Sequence, residues 1–306
     1  RSTLFPYTTL FRSLADCFAG AAGDMIVGAL LNLVPSPSVL RDGLKKVTAL
    51  APEEYELVIE EGVKNGIAGI NFDVILPGTP HDEGEGDCGH REQEPAHGGH
   101  EHAHRHLADI EELIAGSGLS DRVKREALRA FSLLAQAEAR VHGVRPDQVH
   151  FHEVGAVDSI IDIVGTFILM DFLGWPRVIS SPINTGSGTV RCAHGVLPVP
   201  APATELLLHG LPVFAEGEPM ERTTPTGALL IGMLADGFGP IPPGRITASG
   251  FGLGNRTTPD MPNVLRALLK ESGAEDDGLV RERLVLLECN RSEEHTSELQ
   301  SLGRIS

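Results

Sequence analysis

One stretch constrains the fold of this chain more than any other: residues 150–165, His150-Phe151-His152-Glu153-Val154-Gly155-Ala156-Val157-Asp158-Ser159-Ile160-Ile161-Asp162-Ile163-Val164-Gly165. The hydrophobic period changes inside it. His150 and His152 alternate with apolar Val149 and Phe151, which predicts a strand with both imidazoles on one face. From Gly155 the apolar spacing becomes helical, and Asp158 and Asp162, four apart, share a face of that helix. A strand delivering imidazoles and a helix start delivering carboxylates suit a metal site or acid–base chemistry. A plainer reading has Glu153 and Asp158 favouring the positive end of a helix, with the histidines solvated.

Length and charge narrow the setting. The 306 residues suffice for one large or two modest domains with a sizeable core. A hydrophobic share of 41% with 22% charged residues is that of a globular protein. The net charge of -17 argues against nucleic acid or an anionic membrane as the main partner and fits a protein that attracts cations. No apolar run reaches the ~18 residues of a membrane-spanning helix, so no membrane partner is expected. Cys17, Cys88, Cys192 and Cys289 are widely spaced with no CxxC, which suits a reducing cytoplasm rather than a disulfide scaffold.

The two ends stand apart. Residues 1–13 (RSTLFPYTTLFRS) and 291–301 (RSEEHTSELQS) look like translated sequencing-adapter DNA joined to a reading frame. The expected organisation is therefore an adapter-like 1–13, one domain over 14–290 with a His-rich loop at 77–106, and an adapter-like 291–306.

Within the domain, Leu14 to Phe18 reads as a strand, followed by a glycine turn through Gly20 and Gly23 and a helix from Asp24 to about Leu33. Backbone N–H groups of such a turn can hold an anion, though a tight turn with Asp24 stabilising the first helical turn explains the same residues. A second helix is expected over 38–49. Residues 55–63 and 67–76 pair around the hairpin turn Asn65-Gly66. Residues 77–106 carry His81, His90, His97, His100, His102, His104 and His106 among Asp, Glu and Gly. Such a tract cannot bury a core and is expected to be a disordered loop, and its imidazoles suit nickel, zinc or copper.

A short helix over 107–115 precedes a long one capped by Ser120, with Val123, Ala127, Phe131, Leu134 and Val141 as its buried stripe and Gly143 as its stop. His142, at its C-terminus, reads as structural. The helix of the opening stretch should reach about Leu173. Strands are expected at 177–181 and 189–192. His194 then leads into an extended segment held by Pro198, Pro200 and Pro202, before a helix at about 203–209. Thr224-Pro225-Thr226-Gly227 precedes a helix over 229–235; it can hold an anion or simply cap the helix. Residues 250–256 read as a glycine turn, and 262–269 and 283–288 as late strands. Strands alternating with helices, plus the hairpin, predict an α/β fold with a mixed sheet covered by helices on both faces.

Taken together, the segments resemble the nickel-insertion proteins of nickel-pincer cofactor biosynthesis, the LarC family. The resemblance rests on Asp16-Cys17-Phe18-Ala19-Gly20 through Gly23-Asp24-Met25, on Phe151-His152-Glu153-Val154-Gly155-Ala156-Val157-Asp158-Ser159-Ile160-Ile161-Asp162, on His194-Gly195 through the Pro-rich run, on Thr224-Pro225-Thr226-Gly227-Ala228, and on Pro262-Asn263-Val264-Leu265-Arg266. Each motif is weak alone; the ordered set, spanning about 14–290, is specific. The resemblance implies a cytoplasmic nickel chelatase, of the lyase class, that places Ni(II) in pyridinium-3,5-bisthiocarboxylic acid mononucleotide. It also implies coupling to hydrolysis of CTP with a divalent metal, a smaller C-terminal domain beyond Cys289-Asn290, and a possible homo-oligomer.

On that resemblance the expected catalytic residues are His152, Glu153 and Asp158. Gly20, Gly23, Asp24, Thr224, Thr226 and Gly227 are expected to bind the organic ligand. His150, His152, His97, His100, His102, His104 and His106 are expected to bind nickel, the loop collecting it and the turn positioning it. Two other readings fit part of the sequence. One is a metal-dependent hydrolase using His-x-His-Glu with His194 as a further ligand. The other is a non-enzymatic nickel store or carrier that needs only the loop.

Overall fold

The structure, a computed structural model, describes residues 11–48, 50, 55–76, 106–149, 151, 157–192, 194–259, 261–271 and 284–286. Twelve strands and seven α-helices are distinguished among them. The strands are β1 (Phe11–Asp16), β2 (Glu56–Lys64), β3 (Ile67–Ile75), β4 (Arg177–Ser180), β5 (Ile183–Asn184), β6 (Thr189–Cys192), β7 (Gly195–Pro198), β8 (Val213–Phe214), β9 (Ala235–Phe238), β10 (Arg245–Leu253), β11 (Val264–Glu271) and β12 (Leu284–Leu286). The helices are α1 (Gly23–Leu31), α2 (Ser38–Leu44), α3 (Leu107–Ala115), α4 (Asp121–His142), α5 (Val157–Phe172), α6 (Pro202–Leu207) and α7 (Pro225–Leu234).

Eight strands join one sheet in the order β2-β3-β10-β11-β12-β1-β4-β9, with β11 also paired to β1. The sheet is mixed, as expected. β2 and β3 form the antiparallel hairpin around Asn65-Gly66, both with positive φ. β3 runs parallel to β10, β10 antiparallel to β11, and β1 parallel to β4. β5 with β8 and β6 with β7 make two small ladders beside it.

The helices pack on one another and on this sheet. α5 is apolar nearly all round: Ile160, Ile161, Ile163, Val164, Phe167 and Leu169 are all buried. A helix with no polar face needs neighbours on every side, and α5 has them in α1, α2, α4 and α7. α1 is equally apolar and lies on β3, β10 and β11.

That contact explains why residues 250–256 do not form the expected turn. Gly250 and Gly252 lie inside β10, where α1 presses its backbone onto the strand. A Cβ on Gly252 would come closer than 3.0 Å to the Met25 carbonyl, and one on Gly250 equally close to that of Ala29. These glycines serve close approach of helix to strand, not chain reversal.

Several boundaries also move. α7 starts at Pro225, four residues before the expected helix, because Thr224 caps it by accepting a hydrogen bond from Gly227 N at 3.2 Å. α2 ends at Leu44, short of the expected 49. β9 and β7, four residues each, are strands the pattern does not predict: β9 follows directly on α7, and β7 opens the segment that reads as extended. In α4 the stripe is buried as expected except for Val141, which is 37% exposed near the helix end. Ser120 caps the helix and Gly143 ends it with φ of 65°.

Candidate functional site

The opening stretch is built differently from its expected strand-to-helix form. Val149 and Phe151 are buried, as the alternation required, but neither lies in a strand; Val149 closes a 3-10 turn over Pro146–Gln148. The alternation therefore sets which side chains enter the core without making a ladder. His150, His152 and Glu153 lie outside the described residues, as do His97, His100, His102 and His104. From Val157 onward the helical half of the expectation holds.

Asp158 and Asp162 follow on α5. Asp158 is half-buried, and its Oδ1 accepts a hydrogen bond from Ser159 N at 2.7 Å. Asp162, one turn further, lies against Gly23 at the start of α1. A Cβ on Gly23 would approach Asp162 Oδ2, Cγ and Cβ closer than 3.0 Å. The next residue on α1 is Asp24, half-buried, its Oδ1 accepting from Met25 N at 2.8 Å.

These carboxyls feel one another. Burial pushes the Asp162 carboxyl well above its ordinary value, and the charges of Asp24, Asp158 and Asp73 push it further. Asp24 is raised to about 6, first by burial and then by Asp73, against the pull of the Met25 N–H and of Arg256. Four carboxylates from α1, β3 and α5 thus share one field. Among the described residues, no three His, Cys, Asp or Glu side chains stand close enough to hold a metal ion. The carboxylates interact through space and do not form a ready chelate.

A basic segment borders the acidic group. Arg256 acts on Asp24 and donates from Nη1 to the Glu221 carbonyl at 3.1 Å. Lys64 Nζ donates to the carbonyls of Asn255 at 3.1 Å and Arg256 at 3.2 Å, tying that loop to the hairpin. Burial lowers the Lys64 pKa while the Asp24 charge supports the protonated amine.

The expected ligand-binding glycines and threonines turn out to be one locus. The turn before α1 and the segment before α7 lie side by side: Ala21 N donates to the Arg222 carbonyl at 3.1 Å, and Thr224 N to the Ala21 carbonyl at 3.0 Å. Thr223 Oγ1 accepts from Ala21 N at 3.2 Å and donates to the Asn184 carbonyl at 2.7 Å. Gly20 has φ of 102° and lies under the Arg222 carbonyl; Gly227 lies under that of Ala21. Thr226 is buried. Through Gly227, Ala21, Gly23 and Asp162 the first turns of α1 and α7 meet α5. The positive end of α1, in whose first turn Asp24 lies, offsets part of the repulsion among the carboxylates.

Of the expected nickel-binding histidines only His106 is described. It is exposed and stands at the N-terminus of α3, its backbone N–H donating to Asp109 Oδ2 at 2.8 Å. Sequence reasoning left Asp162, Asp73, Lys64 and Arg256 out of the expected site. The spacing of Asp158 and Asp162 carried a signal for the first. Asp73 sits at a polar position of an alternating strand, which reads as solvent-facing, and neither basic residue falls in a motif.

A pH dependence follows. Both raised carboxyls hold protons in the folded state that the unfolded chain releases, so their contribution to stability falls as pH rises from the unfolded value, near 4, through the folded one. For Asp24 that window closes at about 6. Asp24→Asn should therefore be more stable than the parent by about 1–3 kcal/mol at pH 7.5, and much less so at pH 4.5. Urea unfolding of both proteins at the two pH values measures this; an equal gain at both would show that Asp24 titrates normally.

Comparison with known proteins bears on the chain as a whole. The family model described as nickel insertion protein matches residues 14–295. The pyridinium-3,5-bisthiocarboxylic acid mononucleotide nickel insertion protein of Geobacillus kaustophilus is 44% identical over 285 residues, covering 90% of this chain and 64% of that protein. The protein of the same name from Akkermansia muciniphila is 44% identical over 266 residues, covering 85% of this chain and 60% of its own. The chain thus spans less than two thirds of the length of these relatives. No solved structure gives a significant match. Among the described residues no helix is long and apolar enough to cross a membrane. With a family model matched across nearly the whole chain, and two relatives at 44% identity, the chain belongs to the nickel insertion protein family.

Proposed function

We propose that the chain inserts nickel into pyridinium-3,5-bisthiocarboxylic acid mononucleotide, forming the nickel-pincer cofactor in the cytoplasm, with CTP hydrolysis on a divalent metal coupled to the reaction. Family membership supplies the reaction class. The observation that carries the local reading is the group of interacting carboxyls, Asp24, Asp73, Asp158 and Asp162, two of them on the helix that follows His150, His152 and Glu153 in the sequence.

The substrate has a cationic ring, two sulfur-bearing acid groups and a phosphate. A field of four carboxylates favours the pyridinium ring and the Ni(II) cargo and disfavours the phosphate. The phosphate therefore belongs toward Arg256, away from the acidic face of the Gly20–Gly23 turn. Glu153 and Asp158 help to hold the cationic ring. Nickel is collected by the histidines of 81–106 and presented by His150 and His152, for which neutral imidazole is the appropriate donor.

A nickel–carbon bond forms as the ring C–H bond breaks, and the proton has to leave. Burial and the neighbouring carboxylates raise the Asp162 pKa, which makes its ionised form a stronger proton acceptor. Once ionised, Asp162 takes that proton, with Asp158 and Asp24 keeping its basicity high.

The test uses the full chain with nickel, the mononucleotide and CTP with magnesium, and follows product by mass spectrometry. His152→Ala with Glu153→Ala should abolish insertion while the loop still binds nickel by titration; insertion at the parent rate would sink the assignment. Deleting 81–106 should raise the nickel concentration required without removing the chemistry. Complete loss at saturating nickel would contradict a delivery role.

A further inference from the structure

His142 and His194 come from distant parts of the chain and meet. His142 is the last residue of α4, and His194 stands between β6 and β7. Their ring centroids are 4.8 Å apart, with planes inclined by 57°. Neither residue belongs to the carboxylate group described above. The sequence had offered a structural role for the first and, in the hydrolase reading, a ligand role with His152 for the second.

We propose that His142 and His194 form a second nickel site, one that holds the cargo transiently before insertion. This rests on the nickel-insertion reading. Three observations support it. First, the spacing is right. Two imidazoles on neighbouring positions of one divalent ion, each nitrogen about 2.1 Å from the metal, place their ring centres roughly 4.6 Å apart. The observed 4.8 Å is within the small adjustment that ring rotation supplies.

Second, a carboxylate attends one ring. Glu138, one turn earlier on α4, places Oε2 3.4 Å from His142 Nε2. A carboxylate on the far nitrogen orients the ring and raises the basicity of the nitrogen that faces the metal. Glu138 acts there as a positioning residue.

Third, the pair is accessible. The His142 side chain is 29% exposed and His194 is exposed. Two protein ligands with open remaining positions suit transfer rather than storage. Water fills those positions until the ion moves on, and binding by only two donors keeps release easy. His142 also lies eight residues before His150, at the head of the connection that carries the proposed insertion ligands.

Residue-resolved footprinting tests this in the full chain. Diethyl pyrocarbonate modifies exposed imidazoles, and peptide mass spectrometry reads each histidine separately. Ni(II) should slow modification of His142 and His194 at least fivefold, with the same half-saturating concentration for both. His142→Phe keeps a ring in contact with His194 but removes the donor; it should abolish nickel protection of His194 while circular dichroism stays that of the parent. His142→Cys, which retains a soft donor, should restore part of the protection. Unchanged modification of either histidine in millimolar nickel would overturn the site. So would persistent protection of His194 in His142→Phe. Insertion by the parent chain at saturating nickel is read in parallel. Its failure with intact protection would count against the proposed function, and normal insertion without protection against the transfer site.

Discussion

Asp162→Asn should yield a protein that is more stable at neutral pH than its parent and yet inserts nickel at least about 100-fold more slowly. The stability gain follows from the field around the side chain. Burial and the charges of Asp24, Asp158 and Asp73 all disfavour the Asp162 carboxylate. The amide has nearly the same shape and no charge, so it relieves the repulsion without leaving a cavity. The loss of rate follows from chemistry. An amide cannot accept the ring proton, and general-base removal costs on the order of 100-fold to 10000-fold. Asp162→Glu is the companion variant. It restores a carboxylate, but the extra methylene drives it into Gly23, so partial activity with reduced stability is expected. The measurements are urea midpoints at pH 7.5 and single-turnover insertion by mass spectrometry. A destabilised Asp162→Asn would mean that the carboxylate has a favourable partner in the folded state. Normal insertion by the same variant would remove Asp162 from the chemistry.

Gly227→Ala is expected to be among the most damaging single-methyl additions in the chain. The new Cβ would come closer than 3.0 Å to the carbonyl oxygen and carbon of Ala21 and to Ala22 N. All three are backbone atoms, so no side chain can rotate away. The first turn of α7 would have to separate from the turn before α1, which breaks the bonds from Thr224 N to the Ala21 carbonyl and from Ala21 N to that of Arg222. Overpacking against backbone should cost about 3 kcal/mol, at the top of the usual range. Insertion should fall with it, because the turn also sets Gly23 against Asp162. Gly118→Ala is the control. That glycine is exposed, and a Cβ there meets Lys46 only at 3.5 Å. Its effect should stay within about 0.5 kcal/mol. Thermal unfolding of the two variants side by side decides the matter. Equal midpoints would mean that α7 can slide at little cost.

Local pattern carried much of the fold. The hairpin at Asn65-Gly66, α4 between Ser120 and Gly143, and the helix that begins near Asp158 were all legible from turn chemistry, capping and period. These features depend on neighbours within a few residues, which the sequence displays directly. The errors share a different cause. Gly250 and Gly252 read as turn residues because glycine is the commonest turn former, yet they line a strand beneath α1. Val149 and Phe151 alternate like a strand because both enter the core, and alternation records burial rather than pairing.

The site divides the same way. The sequence by itself determined which chemistry the chain can attempt: imidazoles and carboxylates concentrated in one apolar stretch, a strongly negative charge, and an ordered set of motifs that marks the nickel insertion proteins. Only the tertiary structure decided which of those groups act on one another. It joined two glycine-rich helix starts more than 200 residues apart through the bond between Ala21 N and Thr223 Oγ1. It set Asp162 against Gly23 and brought Asp73 of the hairpin into the same field. It also put the His194 ring beside His142. The physical reason is that burial and Coulomb interaction depend on distance in space. A carboxylate's pKa, and an imidazole pair's fitness for a metal, are therefore properties of the packed chain and not of any segment of it.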